Sequence, residues 1–369
     1  MISPNLSSLI KIYVGKVPVR MFSACSRIKR RLVVSSVIML IILYILYSID
    51  YRPIKENCFA VHFPEPSKTL ESIQHSVKQP NEGNNIFFHE TSCSTNGVIS
   101  LNARQACAVE SAARMNPARN VFVLFAAPVG FRNKSILPLM DALLSYPNVE
   151  LLFVNLTTYA RDTPLEDWMQ SGEIFRSQYM NSHLSDVMRY LTLFKYGGTY
   201  LDLDVVVLQS FDTLEPNYAG AESPRWVAAG VIHFEHNGYG HELAEMCLRD
   251  LLINFNGQSW GNNGPGVITR VFKRVCSTNA PLLMTRKRCR HFTVFPPEAF
   301  YAINFEDYLQ FFEERWLDQA LTALNRSVVA HVWNKFSKDH KIRVGSQVAY
   351  GVLAERFCPR VYKASGEFF

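Results

Sequence analysis

Acidic residues are absent from the first 31 positions of this 369-residue chain, and that segment holds seven lysines and arginines. The remaining residues hold 31 Lys and Arg against 32 Asp and Glu, so their net charge is close to zero. This balance excludes the basic footprint that nucleic-acid-binding domains carry. None of the eight cysteines forms a C-x-x-C pair, which argues against a zinc site held by cysteines and against a thioredoxin-like site.

An uncharged apolar segment follows the basic residues. It covers residues 32–49, which are 18 residues. As a helix they would span about 27 Å, close to the thickness of the hydrocarbon core of a bilayer. We therefore expect a cytosolic basic tail at 1–31, a transmembrane signal-anchor helix at 32–49 and a luminal remainder. A cleaved signal peptide is the alternative, but no small-x-small cleavage site follows the segment.

The residues beyond the apolar segment carry features of a secretory compartment. Seven cysteines lie there, which predicts disulfide bonds and leaves at least one cysteine free or paired between chains, Cys58 being the candidate. Three N-x-S/T sequons predict glycosylation at Asn133, Asn155 and Asn325.

Two regions are distinguished by their patterning beyond the apolar segment. Residues 50–84 carry several prolines and show no sustained periodicity, which indicates an extended stem. Strands and helices alternate from Asn85, so we expect one α/β domain at 85–369 with a mostly parallel sheet, less regular beyond Glu222. The predicted strands are Ile86–His89, Val121–Phe125 and Val149–Val154, and the predicted helices are Asn102–Met115 and Ile136–Leu144.

The most informative stretch begins at Ser185, a predicted helix N-cap. Asp186 and Arg189 are three residues apart, so they share one face of the helix that follows. Gly197 and Gly198 then end the helix. The residues Thr199–Leu208 are rich in valine and leucine and predict a single strand.

Two aspartates lie within that predicted strand, at Asp202 and Asp204. Alternate side chains of a strand face the same way, so the two carboxylates would point together. Two close carboxylates repel each other unless a divalent cation lies between them, and oxygen ligands select Mg²⁺ or Mn²⁺. Diphosphate oxygens can fill the remaining positions of such an ion, which suits cleavage of a sugar–diphosphate bond. A D-x-D pair alone equally fits a solvated acidic strand end.

The pattern S-D-x-x-R-x-x-x-L-x-x-x-G-G-x-Y-x-D-x-D resembles the donor-site signature of DXD-containing glycosyltransferases of the GT-A fold. More specifically, the chain resembles the lactosylceramide 4-alpha-galactosyltransferase / alpha-1,4-N-acetylglucosaminyltransferase family (glycosyltransferase family 32) from about Phe88 to Cys358. The resembling stretches are FHETS at Phe88–Ser92, CAVESAAR at Cys107–Arg114, RDTPLEDW at Arg161–Trp168, NNGPGVITRVFK at Asn262–Lys273, FPPEAFYAI at Phe295–Ile303 and AHVWNK at Ala330–Lys335. The chain departs from the family at Ala229, where relatives have Asn, so either sugar choice or local packing differs.

The resemblance implies a GT-A-type fold and a role for each site residue. It implies Asp202 and Asp204 as catalytic residues, and Asp202, Asp204 and His331 as ligands of Mn²⁺ (or Mg²⁺). It implies a UDP-sugar site formed by Asp186, Arg189, Tyr200, Asn263, Gly264, Pro265 and Trp333. Simpler interpretations stay open: a helix ion pair for Asp186 and Arg189, a satisfied histidine for His331, and a turn at Asn263–Pro265.

The resemblance also implies a reaction and a location. We expect retaining transfer of a galactose-type sugar (Gal or GalNAc) from a UDP-sugar to a terminal Gal or GalNAc of a lactosylceramide-like glycosphingolipid, with an α1,4 linkage. No motif marks a carboxylate nucleophile, which favours a front-face mechanism. The enzyme would be a type II protein of the Golgi membrane, and an oligomer is left open.

Three alternatives stay open at this stage. The chain could be an α1,4-N-acetylglucosaminyltransferase acting on glycoprotein or glycolipid glycans, or an inactive membrane-anchored lectin-like homologue. D-L-D-V-V also fits the nucleophile motif of haloacid-dehalogenase-like phosphatases. That motif would stand near the start of its domain and be followed by an acidic pair, and neither holds here.

Overall fold

A computed structural model of the chain describes residues 31–46, 59, 68–94, 96–132 and 137–369. Two compact units are distinguished, Met1–Ile54 and Lys55–Phe369. In the first unit, residues 31–46 form helix α1. Across the described ranges, we find no helix with both the length and the apolar character needed to cross a membrane. The predicted span at 32–49 coincides with α1 up to residue 46. The last three residues of that span, and residues 1–30 of the predicted tail at 1–31, lie outside the described part.

The second unit contains eleven short strands in its described residues. They are β1 (Lys68–Thr69), β2 (Asn85–Glu90), β3 (Asn120–Phe125), β4 (Gly130–Phe131), β5 (Val149–Phe153), β6 (Gly198–Leu201), β7 (Val205–Val207), β8 (Tyr218–Ala221), β9 (Val227–Phe234), β10 (Thr293–Phe295) and β11 (Val329–His331).

Helices connect and cover these strands. They are α2 (Ala103–Met115), α3 (Pro138–Leu144), α4 (Leu156–Tyr159), α5 (Glu166–Gln170), α6 (Met180–Tyr196), α7 (Gly238–Asn254), α8 (Pro265–Val275), α9 (Pro297–Phe300), α10 (Leu317–Ala323), α11 (Asn334–Ser337), α12 (Ala349–Phe357) and α13 (Pro359–Ala364). Short 3₁₀ segments lie at Glu173–Arg176, Phe211–Thr213, Pro281–Leu283, Phe305–Phe311 and Glu314–Trp316.

The central sheet has seven strands in the order β10-β8-β9-β6-β2-β3-β5. Strand β9 pairs antiparallel with both of its neighbours, β6 and β8, and the other pairs in this sheet are parallel. Strands β2 and β3 are buried along almost their whole length, as expected for a sheet that is covered on both faces. The predicted α/β class with a mostly parallel sheet is therefore confirmed.

The first predicted helix forms as its sequence dictates. Asn102 is the N-cap of α2, and its side chain accepts a hydrogen bond from the Gln105 backbone while the Gln105 side chain reaches back. This reciprocal pair fixes where α2 begins, one residue after the predicted start.

Residues 68–84, which the sequence indicated as stem, pack onto the folded unit. Strand β1 pairs with β4, and the Ile73 backbone N–H donates to the Phe153 carbonyl. The Ile73 side chain is fully buried. The folded domain therefore begins before Asn85. The sequence showed no periodicity here because a single apolar residue, Ile73, makes the contact with the edge strand β5.

Two predictions of local structure were wrong. Ser185 does not cap a helix, since α6 already begins at Met180 and Ser185 lies inside it. The region beyond Glu222 is more regular than predicted, because α7 and α8 are helices of 17 and 11 residues.

Two disulfide bonds join described cysteines of the second unit. Cys107 pairs with Cys358 and Cys276 pairs with Cys289. Cys247 is buried and free in the described part of the chain. Cys58, the predicted unpaired cysteine, lies outside the described residues.

Candidate active site

The two aspartates of the D-x-D motif lie in a bend, not in a strand. Strand β6 ends at Leu201 and β7 begins at Val205, and these strands belong to different sheets. The predicted single strand Thr199–Leu208 was therefore wrong, because the chain leaves the central sheet at Asp202 to pair with β11. The Asp202 backbone N–H still donates to the Gly230 carbonyl at 2.9 Å, so the bend is anchored to β9.

The bend brings both carboxylates to His331 at the end of β11. His331 pairs with Val205 in the β7–β11 ladder, one residue beyond Asp204. Its Nε2 lies 3.2 Å from Asp204 Oδ1 and 3.6 Å from Asp202 Oδ2. One potential ligand atom from each of these three residues lies within 4.8 Å of the other two. The structure thus brings together the three predicted metal ligands.

The arrangement fits a divalent cation in two respects. Two carboxylates and one imidazole form a ligand set that suits Mn²⁺. Space for the ion depends on Gly230, because a Cβ there would lie 2.8 Å from Asp202 Oδ2 and 3.1 Å from His331 Nε2. The side chains of Asp202 and Asp204 are 28% and 15% exposed, so the site opens to a ligand.

In the metal-free protein, burial and neighbouring charges have opposite effects on the pKa values of Asp202, Asp204 and His331. Burial raises the pKa of Asp204, and His331 offsets only part of that effect. Burial would also raise the pKa of Asp202, but Arg189 and His331 outweigh it and lower that pKa to about 2. Burial opposes protonation of His331, yet Asp204 and Asp202 prevail and raise its pKa. The two aspartates therefore differ in what balances their charge, Arg189 being the main partner of Asp202.

Arg189 is buried beside the candidate metal ligands and contacts two acidic side chains. Its Nη1 lies 3.2 Å from Asp202 Oδ1, and its Nη2 lies 2.8 Å from Asp186 Oδ1. Nη1 also donates to the Ala229 carbonyl, and the guanidinium carbon lies 4.5 Å from the centre of the Tyr200 ring. The carboxylates of Asp186 and Asp202 are thus held by one shared cation.

Asp186 is further enclosed by the loop before α8. A Cβ at Gly264 would lie 2.2 Å from Asp186 Oδ1, so only glycine permits this close approach. The Tyr190 hydroxyl, one turn along α6, donates to the Gly264 carbonyl at 2.7 Å. Burial raises the pKa of Asp186 to about 7, and Arg189 offsets part of this rise.

A cleft of about 570 Å³ opens over this cluster. Seven of the predicted site residues line it, namely Asp186, Arg189, Asp202, Asp204, Pro265, His331 and Trp333. Aromatic side chains, among them Trp260, Phe305 and Phe336, form part of its wall. The cleft therefore combines a metal-binding cluster with apolar rings on which a sugar can stack.

Three predicted donor-site residues are placed elsewhere. The buried Asn263 side chain bonds the Asn256 backbone through both its oxygen and its nitrogen, which holds the loop before α8. Gly264 contacts Asp186 as described. Tyr200 lines a smaller neighbouring cleft of about 280 Å³, which also reaches Asp202 and Asp204, and its hydroxyl donates to Asp202 Oδ1 at 2.7 Å.

The main cleft also contains residues outside the predicted set of site residues. Lys335 and Lys338 supply positive charge, and the Lys335 ammonium lies 3.1 Å from the centre of the Trp260 ring. Glu222 and Tyr301 add a carboxylate and a hydroxyl. The A-H-V-W-N-K motif offered a signal for Lys335, because Lys335 ends this motif and follows Trp333 by two positions. No sequence motif pointed to Glu222.

The predicted glycosylation positions are partly described. Asn155 is exposed and caps α4, its side-chain oxygen accepting from the Thr158 N–H. Asn325 is exposed after α10. Asn133 lies outside the described residues. Glycosylation at all three stays a prediction.

Comparison with known families gives two adjacent matches. A family described as "Glycosyltransferase sugar-binding region containing DXD motif" matches residues 102–221. A family described as "Alpha 1,4-glycosyltransferase conserved region" matches residues 236–365. The first match contains Asp202 and Asp204, and the second contains His331, so the two matched regions together supply the candidate metal ligands.

Individual relatives extend this result. Lactosylceramide 4-alpha-galactosyltransferase of Homo sapiens is 37% identical over 81% of this chain and 82% of its own length. Alpha-1,4-N-acetylglucosaminyltransferase of Homo sapiens is 26% identical over 70% of this chain and 75% of its own. The solved glycosyltransferase GlyE of Streptococcus pneumoniae TIGR4 is 15% identical, and the match covers 76% of this chain and 60% of that one with a TM-score of 0.42.

Proposed function

The chain belongs to the alpha-1,4-glycosyltransferase family, and from that premise we propose that it transfers a galactose-type sugar, Gal or GalNAc, from a UDP-sugar to a terminal Gal or GalNAc of a glycosphingolipid in α1,4 linkage. The observation that carries this proposal is the convergence of Asp202, Asp204 and His331 at the floor of one cleft. A relative that covers most of the chain is named for transfer to lactosylceramide, which supports a glycolipid acceptor.

The charge of each residue in the cleft determines its proposed role. Asp202, Asp204 and His331 would hold Mn²⁺ (or Mg²⁺), which when bound supplies positive charge to stabilise the departing diphosphate. Lys335 and Lys338 line the same cleft and can neutralise further phosphate charge. Arg189 already neutralises Asp186 and Asp202, so its main role is to orient these carboxylates. A GT-A-type arrangement agrees with the D-x-D bend at the end of a strand in a mostly parallel sheet.

The stereochemical course follows from the donor. UDP-Gal and UDP-GalNAc carry an α-linked sugar, so an α1,4 product means retention. We propose that the acceptor hydroxyl attacks from the face that the diphosphate leaves, and that a phosphate oxygen takes the hydroxyl proton. The charged groups of the cleft that balance the diphosphate also keep the sugar and the leaving group together during this step.

A second candidate is transfer of N-acetylglucosamine, which is supported by the 26% identical relative of that name. The departure at Ala229 bears on this choice, because its carbonyl accepts from Arg189 and the residue lines the cleft. A larger residue there would reduce the space beside the donor sugar.

We also propose that the enzyme acts at the Golgi membrane as a type II protein. The uncharged segment 32–49 behind a basic tail supports a signal anchor, and the two disulfides support an oxidising lumen. An acceptor that is itself a membrane lipid would then lie within reach of the cleft. Sensitivity of the expressed chain to a glycosidase that removes N-linked glycans tests whether residues 50–369 are luminal. Staining of the chain in the Golgi tests its location.

A donor screen tests the proposed reaction. The full-length chain in detergent receives UDP-Gal, UDP-GalNAc, UDP-Glc or UDP-GlcNAc with Mn²⁺, and either lactosylceramide or a GalNAc-terminated glycolipid. We expect product from UDP-Gal or UDP-GalNAc and none without the metal. Product from UDP-GlcNAc alone would select the second candidate. Glycolipid binding without turnover under all conditions would identify a lectin-like homologue and reject the proposal.

A further inference from the structure

Glu222 lies at a fixed position in the wall of the main cleft. It directly follows β8 and begins the turn to β9. The Glu222 backbone N–H donates to the Trp226 carbonyl at 3.0 Å, and the Ser223 N–H donates to the same carbonyl at 3.4 Å. These bonds hold the turn, so the backbone that carries the Glu222 side chain is defined before any ligand binds.

The Glu222 carboxylate differs from every other acidic group of the main cleft. Asp186 and Asp202 share Arg189, and Asp204 accepts from the Asn334 backbone N–H at 2.8 Å and approaches His331. Glu222 has no hydrogen bond or ion pair through its carboxylate within the described part of the chain, although its side chain is partly buried. A partly desolvated carboxylate without a partner is costly, which points to a ligand that completes it.

A second polar group stands in the same cleft. Tyr301 is only 2% exposed, and its hydroxyl lies close to the Val231 backbone without a hydrogen bond of good geometry. Its ring centre lies 5.5 Å from that of His331 and 5.7 Å from that of Trp333, and those two rings lie 4.4 Å apart, so the three rings form one cluster. Burial raises the pKa of Tyr301, and the charges of Asp202 and Glu222 add to the rise, which places Glu222 within electrostatic reach of this hydroxyl.

The chemistry of a carboxylate limits what the ligand can be. An ionised carboxylate only accepts hydrogen bonds, and it repels a diphosphate. The cleft already holds cationic groups for phosphate, in Lys335 and Lys338 and in the metal-binding cluster. The partner of Glu222 is therefore an uncharged hydrogen-bond donor, such as a sugar hydroxyl or the N–H of an acetamido group.

The acceptor needs such a partner more than the donor does. A UDP-sugar is held through its diphosphate, whereas a neutral glycan offers only hydroxyls, amides and ring faces. On the premise of the proposed function, we propose that Glu222 is a positioning and specificity-determining residue that accepts a hydrogen bond from the terminal sugar of the acceptor, with the Tyr301 hydroxyl beside it.

Steady-state kinetics of Glu222→Gln and Glu222→Ala in the full-length chain test this inference. We expect kcat/KM for the acceptor to fall by roughly 10- to 100-fold in Glu222→Ala, the range of a hydrogen bond to a charged group, and less in Glu222→Gln, which keeps one acceptor oxygen. The KM for the UDP-sugar and the rate of donor hydrolysis without acceptor should change by less than about twofold, because the contact is made only to the acceptor.

Two further variants sharpen the test. Tyr301→Phe removes one hydroxyl and should lower kcat/KM for the acceptor in the same direction. Glu242→Gln, an exposed glutamate on α7 outside the cleft, should match the wild type. Comparing acceptors that end in Gal and in GalNAc shows whether the bonded donor is a hydroxyl or the acetamido N–H, since loss confined to the GalNAc acceptor identifies the latter.

The outcomes separate this inference from the proposed function. A wild-type chain that transfers no sugar would overturn both. An active wild type with unchanged acceptor kcat/KM in Glu222→Ala would overturn only the role of Glu222. Parallel loss of transfer and donor hydrolysis would also overturn it, because Glu222 would then act on the donor.

Discussion

Arg189 lies 3.2 Å from Asp202 through one guanidinium nitrogen while its other terminal nitrogen lies 2.8 Å from Asp186. Both members of the Asp186–Arg189 pair have side chains that are 7% exposed. The D-x-D bend is therefore fixed to helix α6 by a buried cation, so Asp202 is oriented before a metal ion arrives. This preorganisation lowers the cost of binding the ion, since the ligand does not need to be ordered at that moment.

Removing Arg189 should destabilise the fold strongly. Arg189→Met leaves two carboxylates in a buried site without their shared cation, which costs about 3–5 kcal/mol of unfolding free energy. Urea denaturation measures this loss.

The exposed pair Arg176–Glu173 offers a matched control, because it has the same i,i+3 spacing but side chains that are 50% and 42% exposed. Arg176→Met should cost less than about 1 kcal/mol. Equal losses in the two variants would show that Arg189 is not the structural centre of the site.

Replacing Asp204 should separate activity from stability. Asp204→Asn removes a metal ligand and should lower turnover by roughly 100-fold or more. Burial raises the pKa of Asp204, so the ionised carboxylate costs stability in the metal-free fold, and the amide keeps an oxygen for the Asn334 N–H. The metal-free melting temperature should therefore equal or exceed that of the wild type. Asp318→Asn, at an exposed position on α10, is the control, and wild-type turnover in Asp204→Asn would remove Asp204 from the site.

A methyl group at position 230 should obstruct the metal site. In Gly230→Ala the new Cβ would lie 2.8 Å from Asp202 Oδ2, and Asp202 cannot move freely because Arg189 and Tyr200 hold it. We expect the Mn²⁺ concentration for half-maximal activity to rise roughly tenfold or more. Gly261→Ala is the control, since the nearest atom to its Cβ would be 3.9 Å away. An unchanged response to Mn²⁺ would mean that the ion lies elsewhere.

The sequence predicted the parallel part of the sheet well, because that information is local. Strand β3 is apolar from Val121 to Phe125, β2 and β5 each contain three consecutive apolar residues, and the residues of the α2 capping box are recognisable in the sequence. Helix α7 was missed even though Leu243, Cys247 and Leu251 recur every four residues on its buried face. The surrounding glycines and aromatics obscured a helical pattern that was present.

The candidate site was predicted in its residues but not in its geometry. Alternation along one strand was the reason given for the convergence of Asp202 and Asp204, whereas a bend between two sheets produces it. That bend depends on pairing between β7 and β11, more than a hundred residues apart, which no local pattern reveals. Glu222 was missed for the same reason, since only the tertiary structure shows that it faces the cleft without a partner.

Acid should weaken the fold through His89. Burial, with help from Arg189, lowers the pKa of His89 to about 3, while the unfolded chain titrates at its ordinary value of about 6.5. Between these values the unfolded state binds a proton that the folded state does not, so stability falls as the pH falls, by about 1.4 kcal/mol per pH unit.

A variant comparison isolates this effect from Asp186, whose pKa is raised to about 7 and which therefore contributes a slope of opposite sign. Unfolding free energies of the wild type and of His89→Gln, measured from pH 6.5 to pH 4, should converge as the pH falls. His75→Gln, at an exposed position, should show a constant difference. A pH-independent difference for His89→Gln would mean that His89 is protonated in the folded state.

The two disulfides should differ in what they contribute, because they close loops of very different length. Cys107–Cys358 spans 251 residues and Cys276–Cys289 spans 13. All four cysteines are buried, so alanine substitution removes similar packing from each pair. Loop-closure entropy predicts a loss of about 5 kcal/mol for Cys107→Ala/Cys358→Ala and about 3 kcal/mol for Cys276→Ala/Cys289→Ala. Denaturation of both double variants under non-reducing conditions measures the difference, and a larger loss from the short loop would show that strain or residual structure, and not chain entropy, sets the stability of this domain.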